Sequence, residues 1–212
     1  MISMWYAEAG KYNVLPIDSR GVQRLADERP QVAPPRQRYV LYPGTQAVPA
    51  GAGPRILNRP FTITAEVEIP TEGADGVLLS MGGSDGGLAF YIQEGILTYV
   101  HNYLAIDHSY TRARRRLPEG HHFLSMEFEP TGAPDVAHGK GVSGNVTLFV
   151  DGEKVGEGEI PVTAPFRLGQ GAAMLVGADA GAAVTPEYRA PFRFRGKIKR
   201  IIVDVSVKVR PY

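Results

Sequence analysis

The sequence predicts an all-β fold, an antiparallel β-sandwich of the jelly-roll type that follows a short helical or irregular segment. Three observations indicate it: apolar and polar residues alternate in several segments, turn signals separate those segments at intervals of roughly 8–12 residues, and 25 glycines and 17 prolines are spread over 212 residues. Sandwiches of this length commonly enclose one core, so we expect one sandwich domain. We assign residues 1–37 to an N-terminal linker-like segment that packs on the sandwich or on a partner, and residues 38–212 to the sandwich.

The alternation is clearest in residues 61–69, where Phe61, Ile63 and three further apolar residues take every second position between threonines and glutamates. This period of two is typical of a strand with one buried face. Further strands are predicted at residues 38–42, 77–80, 88–92, 96–101, 123–128, 146–150, 153–156, 173–177 and 196–209. Turns that contain glycine join several of them, at residues 82–87, 94–95 and 151–152. Ahead of the sandwich, residues 5–9 and 22–28 are predicted as short helical turns.

Charge and composition exclude several classes of partner and site. Lysine and arginine total 23 against 22 aspartates and glutamates, a net charge of +1, so no overall field attracts nucleic acid or an anionic membrane, and we expect neither as a partner. The absence of cysteine excludes disulfides and thiolate metal sites. The sequence contains no stretch of about 18 apolar residues that could span a bilayer, and residues 1–10 lack the pattern of a signal peptide. The expectation is therefore a soluble protein that is cytoplasmic by default.

Several segments together carry a resemblance to a known family. They are residues 5–18, 76–79, 86–92, 95–102, 146–152, 176–179, 184–185, 188, 191–194 and 196–198. In order and spacing they resemble the concanavalin-A/laminin-G-like module at the C-terminus of large bacterial arylsulfatases, over nearly the whole chain. The resemblance implies a jelly roll of the lectin/glucanase type and a non-catalytic accessory role. It also implies a partner, either a sulfatase catalytic domain or, with none present, a second copy of this chain, against which Trp5, Tyr6 and Tyr12 would be buried.

No catalytic residue is predicted in this chain. Full-length members of the resembling family hydrolyse sulfuric esters with a formylglycine made within a Cys/Ser-x-Pro-x-Arg motif, and the chain contains no such motif. A glycoside hydrolase on the same fold needs carboxylates that flank one glycosidic bond. The nearest pairs, Glu66 with Glu68 and Glu127 with Glu129, lack a third acid and alternate with apolar residues, as on the solvent side of a strand. The alternative functions are a stand-alone carbohydrate-binding, lectin-like protein and, after it, a glycoside hydrolase.

Basic and aromatic residues predict an anion- or sugar-binding site. The densest basic cluster consists of Arg112, Arg114, Arg115 and Arg116. Guanidinium groups bind sulfate, phosphate or carboxylate through two parallel hydrogen bonds. Predicted strands also contribute rings that would line a concave sheet face and stack on sugars, namely those of Tyr91, Tyr99 and His101. The alternatives are a solvated loop for the arginines and ordinary strand packing for the rings.

Calcium is the one cofactor for which the sequence offers a ligand. Asp179 lies between Gly177 and Gly181, in a segment whose backbone carbonyls would join the carboxylate around a cation that prefers oxygen. The alternative is an aspartate that accepts hydrogen bonds within its own turn. The five histidines are not spaced as metal ligands, and no other cofactor is expected.

Overall fold

Two sheets pack face to face in the computed structural model, which describes residues 1–17, 34, 36–169 and 173–205. The chain begins with helix α1 (Ile2–Lys11). The next strands are β1 (Arg38–Leu41), β2 (Val48–Pro49), β3 (Phe61–Ile69), β4 (Gly76–Gly83), β5 (Gly86–Gln93), β6 (Ile96–Tyr103) and β7 (Asp107–Arg112). They are followed by β8 (Gly120–Pro130), a 3₁₀ turn (Val136–His138), β9 (Gly144–Val150), β10 (Glu153–Ile160), β11 (Ala173–Val176), β12 (Ala178–Asp179), β13 (Phe192–Arg193) and β14 (Lys197–Asp204).

The strand order confirms the predicted antiparallel sandwich. The first sheet has the order β1-β14-β3-β8-β9-β10, and the second has the order β12-β13-β4-β5-β6-β7, with β11 pairing with β4 and β2 with β11. Strand pairs are antiparallel, apart from a single parallel pairing of β13 with β4. Strands β4 to β7 form a meander in which each strand pairs with the next.

Alternate residues of both sheets form the main core between them. On β3 the apolar side chains are buried, whereas the intervening threonines and glutamates point away from the core. Phe61 of β3 packs against Phe128 of β8, with ring centroids 5.5 Å apart. Other large, fully buried side chains of this core are Leu78, Phe90, Leu97, Tyr99, Leu124, Met126 and Leu148. Each such burial is worth about 1.5–3 kcal/mol, so this interior holds the two sheets together.

A second, smaller core lies on the outer face of the second sheet. The chain crosses that face between β12 and β13, and we call residues 180–191 the strap. Val184 and Tyr188 of the strap pack on outward side chains of the sheet, which are those of Val77, Ala89, Tyr91 and Val100. The rings of Tyr188 and Tyr91 meet edge to face, 5.2 Å apart. The strap therefore covers the centre of a sheet face that would otherwise be open to solvent.

Some elements differ from the predicted ones. Strand β7 is not predicted, because its six residues are all polar or amphipathic and resemble a loop. Helix α1 is longer than the predicted turn over residues 5–9. The helical turn predicted over residues 22–28, and residues 206–209 of the last predicted strand, lie outside the described residues. The domain boundary at residue 38 stays a prediction. In the described part of the chain, no helix is both long and apolar enough to cross a membrane.

Candidate functional site

Strand pairing brings Tyr91 and Arg112 into one row on the outer face of the second sheet. Tyr91 of β5 pairs with Thr98 of β6, which in turn pairs with Arg112 of β7. Neighbouring strands lie about 4.8 Å apart, so the first and third residues of such a row are roughly 10 Å apart. A ligand group between them is within reach of both side chains.

Glu187 of the strap occupies that position. Its Oε2 atom accepts a hydrogen bond of 2.8 Å from the hydroxyl of Tyr91, and its Oε1 atom accepts one from Nη2 of Arg112. The carbonyl oxygen of Glu187 accepts a further bond, 3.1 Å long, from Nε2 of Gln93. Donors from β5 and β7 thus converge on one strap residue at the border of the covered face.

Tyr110 of β7 adds a ring to this border. Its hydroxyl lies 2.6 Å from Oγ1 of Thr185, and its ring lies 4.5 Å beneath the guanidinium of Arg112. His108 stacks beside the ring, with centroids 6.2 Å apart. We call Tyr91, Gln93, Tyr110, Arg112, Thr185 and Glu187 the rim cluster. It combines a cation, a carboxylate and a partly exposed aromatic ring at the edge of the sheet.

Burial raises the pKa of both phenols of the rim cluster, which are protonated at neutral pH. The pKa of Tyr91 is raised far above its usual value by burial and by the adjacent carboxylate of Glu187. Burial also raises the pKa of Tyr110, although the hydrogen bond with Thr185 offsets part of this increase. At neutral pH each hydroxyl is therefore available to donate a hydrogen bond.

Contacts outside the rim cluster also fix the strap. Nδ2 of Asn102 donates to the carbonyl oxygen of Val184 over 2.9 Å. Oδ2 of Asp179 accepts from the N–H of Val184 at 3.0 Å and from the hydroxyl of Tyr188 at 2.7 Å. The ring of Tyr188 stacks on that of Phe192, 4.9 Å away. These contacts hold the strap against the sheet and leave the Glu187 side chain at its margin.

Comparison with known proteins identifies the fold. No family model matches the sequence, and no curated protein does. Among solved structures, the CBM40 domain of the Ruminococcus gnavus IT-sialidase, bound to α2,3 sialyllactose, aligns with 82% of this chain and 92% of that chain, at 16% identity and a TM-score of 0.51. The sandwich has the jelly-roll fold that lectins and carbohydrate-binding domains share.

Two further solved structures are similar over most of the chain. Mouse laminin α1 chain domains LG4-5 align with 79% of this chain and 40% of that chain, at 15% identity and a TM-score of 0.47. The Caenorhabditis elegans galectin LEC-6 aligns with 81% of this chain and 96% of that chain, at 11% identity and a TM-score of 0.41. The similarity to the sialidase CBM40 domain confirms the predicted jelly-roll fold, whereas the arylsulfatase origin and a bacterial source stay predictions.

The lectin-like sandwich separates the arginines of the predicted site. Arg112 belongs to the rim cluster, whereas Nη2 of Arg114 lies 3.5 Å from Oε1 of Glu157 on β10. Arg115 and Arg116 are exposed just beyond β7. The methylene carbons of Arg116 pass beside Gly95, at the turn that follows Gln93. The cluster therefore lies at one end of the sheet, and one of its four members contacts Glu187.

Two of the predicted sugar-stacking residues lie inside the sandwich. Tyr99 and His101 are buried between the sheets, so the expectation that they line an open sheet face is wrong. On β6 Leu97 and Tyr99 point into the main core, whereas Val100 between Tyr99 and His101 points outwards into the smaller core. Tyr91 does lie on the outer face, but the strap buries its ring and leaves its hydroxyl to reach the rim cluster.

Asp179, the predicted calcium ligand, is buried in short strand β12 rather than in an open loop. One of its oxygens already accepts the two hydrogen bonds that fix the strap. The described residues contain no group of three acidic or histidine side chains that would hold a metal ion. Calcium binding stays a prediction.

The predicted partner-packing residues are exposed on and beside α1. Trp5, Tyr6 and Tyr12 retain 46%, 59% and 65% of their full exposure. Trp5 and Tyr6 contact each other edge to face, with centroids 5.0 Å apart. Large apolar neighbours extend the exposed surface, including Ile2, Met4, Val14 and Ile17.

Glu66, one of the carboxylates weighed for glycoside hydrolysis, lacks the properties of a general acid. It lies on the outer face of the first sheet, where His121, Lys199 and Arg200 contact its carboxylate. Burial acts to raise the pKa of Glu66, but the hydrogen bond to His121 and the charges of Arg200 and Lys199 outweigh it and leave this pKa lowered. A general acid needs the opposite shift.

Proposed function

We propose that the chain is a lectin-like carbohydrate-binding protein and that the rim cluster is its glycan site. The observation that carries the proposal is the convergence of donors from β5 and β7 at an edge of the sheet that also presents the ring of Tyr110. Sugars offer hydroxyl groups that need fixed polar partners and C–H faces that pack on aromatic rings. The similar sialidase domain, which is described as bound to α2,3 sialyllactose, supports a glycan as the ligand.

The proposal is tested by a glycan array probed with the wild-type chain and with R112A and Y110A. Arg200 provides a matched control, because it is another half-exposed arginine that pairs with a carboxylate, that of Glu66 on the first sheet. We expect the wild type and R200A to retain the same glycans and both rim variants to bind them about tenfold more weakly. R112A removes a charge-assisted hydrogen bond worth about 1.5–3 kcal/mol, Y110A removes ring packing worth about 1 kcal/mol, and tenfold corresponds to about 1.4 kcal/mol. Failure of the wild type to bind any glycan, or equal binding by R112A and R200A, contradicts the proposal.

A second candidate function rests on the exposed aromatic residues of the N-terminal segment. Trp5, Tyr6 and Tyr12 form an apolar surface of the kind that proteins use to pack against partners. On this proposal the chain is an accessory module that resembles the C-terminal module of an arylsulfatase and packs on a sulfatase catalytic domain or on a second copy. The two functions use different surfaces and are compatible.

A further inference from the structure

The side chain and the backbone of Glu187 are held by separate sets of contacts. The carboxylate is one-third exposed and is bound by Tyr91 and Arg112. Thr185 and Gln93 hold the backbone. The N–H of Glu187 donates to Oγ1 of Thr185 over 3.2 Å, and the carbonyl oxygen of Glu187 accepts from Nε2 of Gln93. Rotation of the Glu187 side chain into solvent would therefore empty the space between Tyr91 and Arg112 without releasing the strap.

We propose that Tyr91 and Arg112 form a carboxylate site that the chain's own Glu187 fills, and that the ligand of the rim cluster is a sugar bearing a carboxylate, of the uronic or sialic acid class. The sugar's carboxylate takes the place of the Glu187 carboxylate. The inference rests on the proposed function, because it names the class of glycan that the same cluster binds.

The two donors suit a carboxylate better than a neutral hydroxyl. Each oxygen of Glu187 accepts from a different donor, one from the guanidinium of Arg112 and one from the hydroxyl of Tyr91. A sugar hydroxyl in the same place would leave the cation without an anionic partner, whereas a second carboxylate restores both charge-assisted bonds. The Tyr91 side chain is buried, so its hydroxyl requires an acceptor.

Neighbouring basic residues favour the exchange. Arg114, Arg115 and Arg116 lie two to four residues after Arg112, and Arg189 lies two residues after Glu187 on the strap; all are exposed. The positive charges of these residues reduce the repulsion between the Glu187 carboxylate and a second carboxylate at this end of the sheet.

The test replaces Glu187 and supplies the carboxylate from solution. We expect glucuronate to raise the melting temperature of E187A by about 3–6 °C at ten times its dissociation constant, and glucose at equal concentration and ionic strength to leave it unchanged. The wild type should bind glucuronate about tenfold more weakly than E187A, because Glu187 competes for the same donors. The double variant R112A/E187A should lose the response.

E66A is the matched control, since Glu66 also pairs with an arginine, Arg200, on an outer sheet face. Because its rim cluster is intact, its melting temperature should respond to glucuronate no more than that of the wild type. If E187A fails to fold, E187Q retains the shape of the side chain without its charge, and its affinity for glucuronate should exceed that of the wild type. Equal responses to glucuronate and glucose, or an equal response in R112A/E187A, would overturn the inference.

The outcomes also separate this inference from the proposed function. Glycan binding that depends on Arg112, together with no preference of E187A for glucuronate, rejects the carboxylate site and leaves the lectin function standing. A preference of E187A for glucuronate, together with no glycan bound on the array, rejects the lectin function and leaves the carboxylate site standing.

Discussion

His101 places an ionisable ring inside the core between the two sheets. Its Nε2 atom has no hydrogen-bond partner among the described residues. His101 lines, with Asn58, Tyr99 and Leu168, a pocket with about 20 Å³ of space for water. Such a pocket has room for one water molecule. Burial lowers the pKa of His101 from 6.5 to about 4, so the folded chain holds the neutral ring.

This burial makes stability depend on pH. Below pH 6.5 the unfolded chain takes up a proton, whereas the folded chain resists until about pH 4, so the stabilisation is complete above this window and is lost as the pH falls through it. We expect the free energy of unfolding to fall by about 2 kcal/mol between pH 7 and pH 5 through His101. Urea unfolding at both pH values measures the change. H101L should remove this pH-dependent loss of stability, whereas the control H108Q, a change in a partly buried histidine of β7, should retain it. If H101L loses as much stability between pH 7 and pH 5 as the wild type, the prediction is wrong.

Residue type identifies Arg112 and Tyr91 as candidates, but it does not identify their partner. Glu187 is one of 22 acidic residues and belongs to no motif, so only the path of the strap shows that it lies between them. The placement of Tyr99 and His101 has a similar explanation. Strand β6 is buried on both faces, and the alternation in its sequence therefore does not show which face is the interior.

The strap depends on Asp179, which accepts hydrogen bonds from the N–H of Val184 and the hydroxyl of Tyr188 inside the protein. D179A leaves two buried donors without an acceptor, and we expect it to lower the free energy of unfolding by about 2–4 kcal/mol. D179N keeps an acceptor oxygen and should lose less. Urea unfolding measures the stability of both variants. The control is D135A, a change at an exposed aspartate, which should remain within about 0.5 kcal/mol of the wild type. Equal stabilities of D179A and D135A contradict the prediction.

Strong periodicity predicts the central strands, and its absence explains the elements that the sequence does not reveal. Strands β3, β5, β6 and β9 contain apolar residues that need a core, and all of them are predicted from the sequence. Strand β7 lies at the sheet edge with His108, Tyr110 and Arg112 outwards, so its composition matches that of a loop. The strap has no regular structure of its own, and its burial results from contacts with residues far away in the sequence.

The fold class is predictable because many separate strand and turn signals indicate the same β-sandwich, so an error in one strand does not change the predicted fold class. The location of the binding surface is less predictable. A sandwich has two outer faces, and the strap closes the middle of one of them and leaves its rim as the candidate site. With a net charge of +1, long-range steering is weak, so recognition of an acidic sugar would depend on local contacts such as that of Arg112.

The exposed surface around α1 gives a final prediction for the whole chain. We expect the chain to associate through Trp5, Tyr6 and Tyr12, with a second copy or with an added arylsulfatase catalytic domain, because burying these rings gains about 1.5–3 kcal/mol each. Trp5 is the only tryptophan, so its fluorescence should shift to shorter wavelength as the complex forms, and sedimentation velocity should show the larger species. Y6S/Y12S keeps the tryptophan and should weaken association at least tenfold, whereas Y42S/I106S, at exposed positions elsewhere, should not. If the emission spectrum stays unchanged and the chain stays monomeric, both alone and with the added catalytic domain, this surface has no such role.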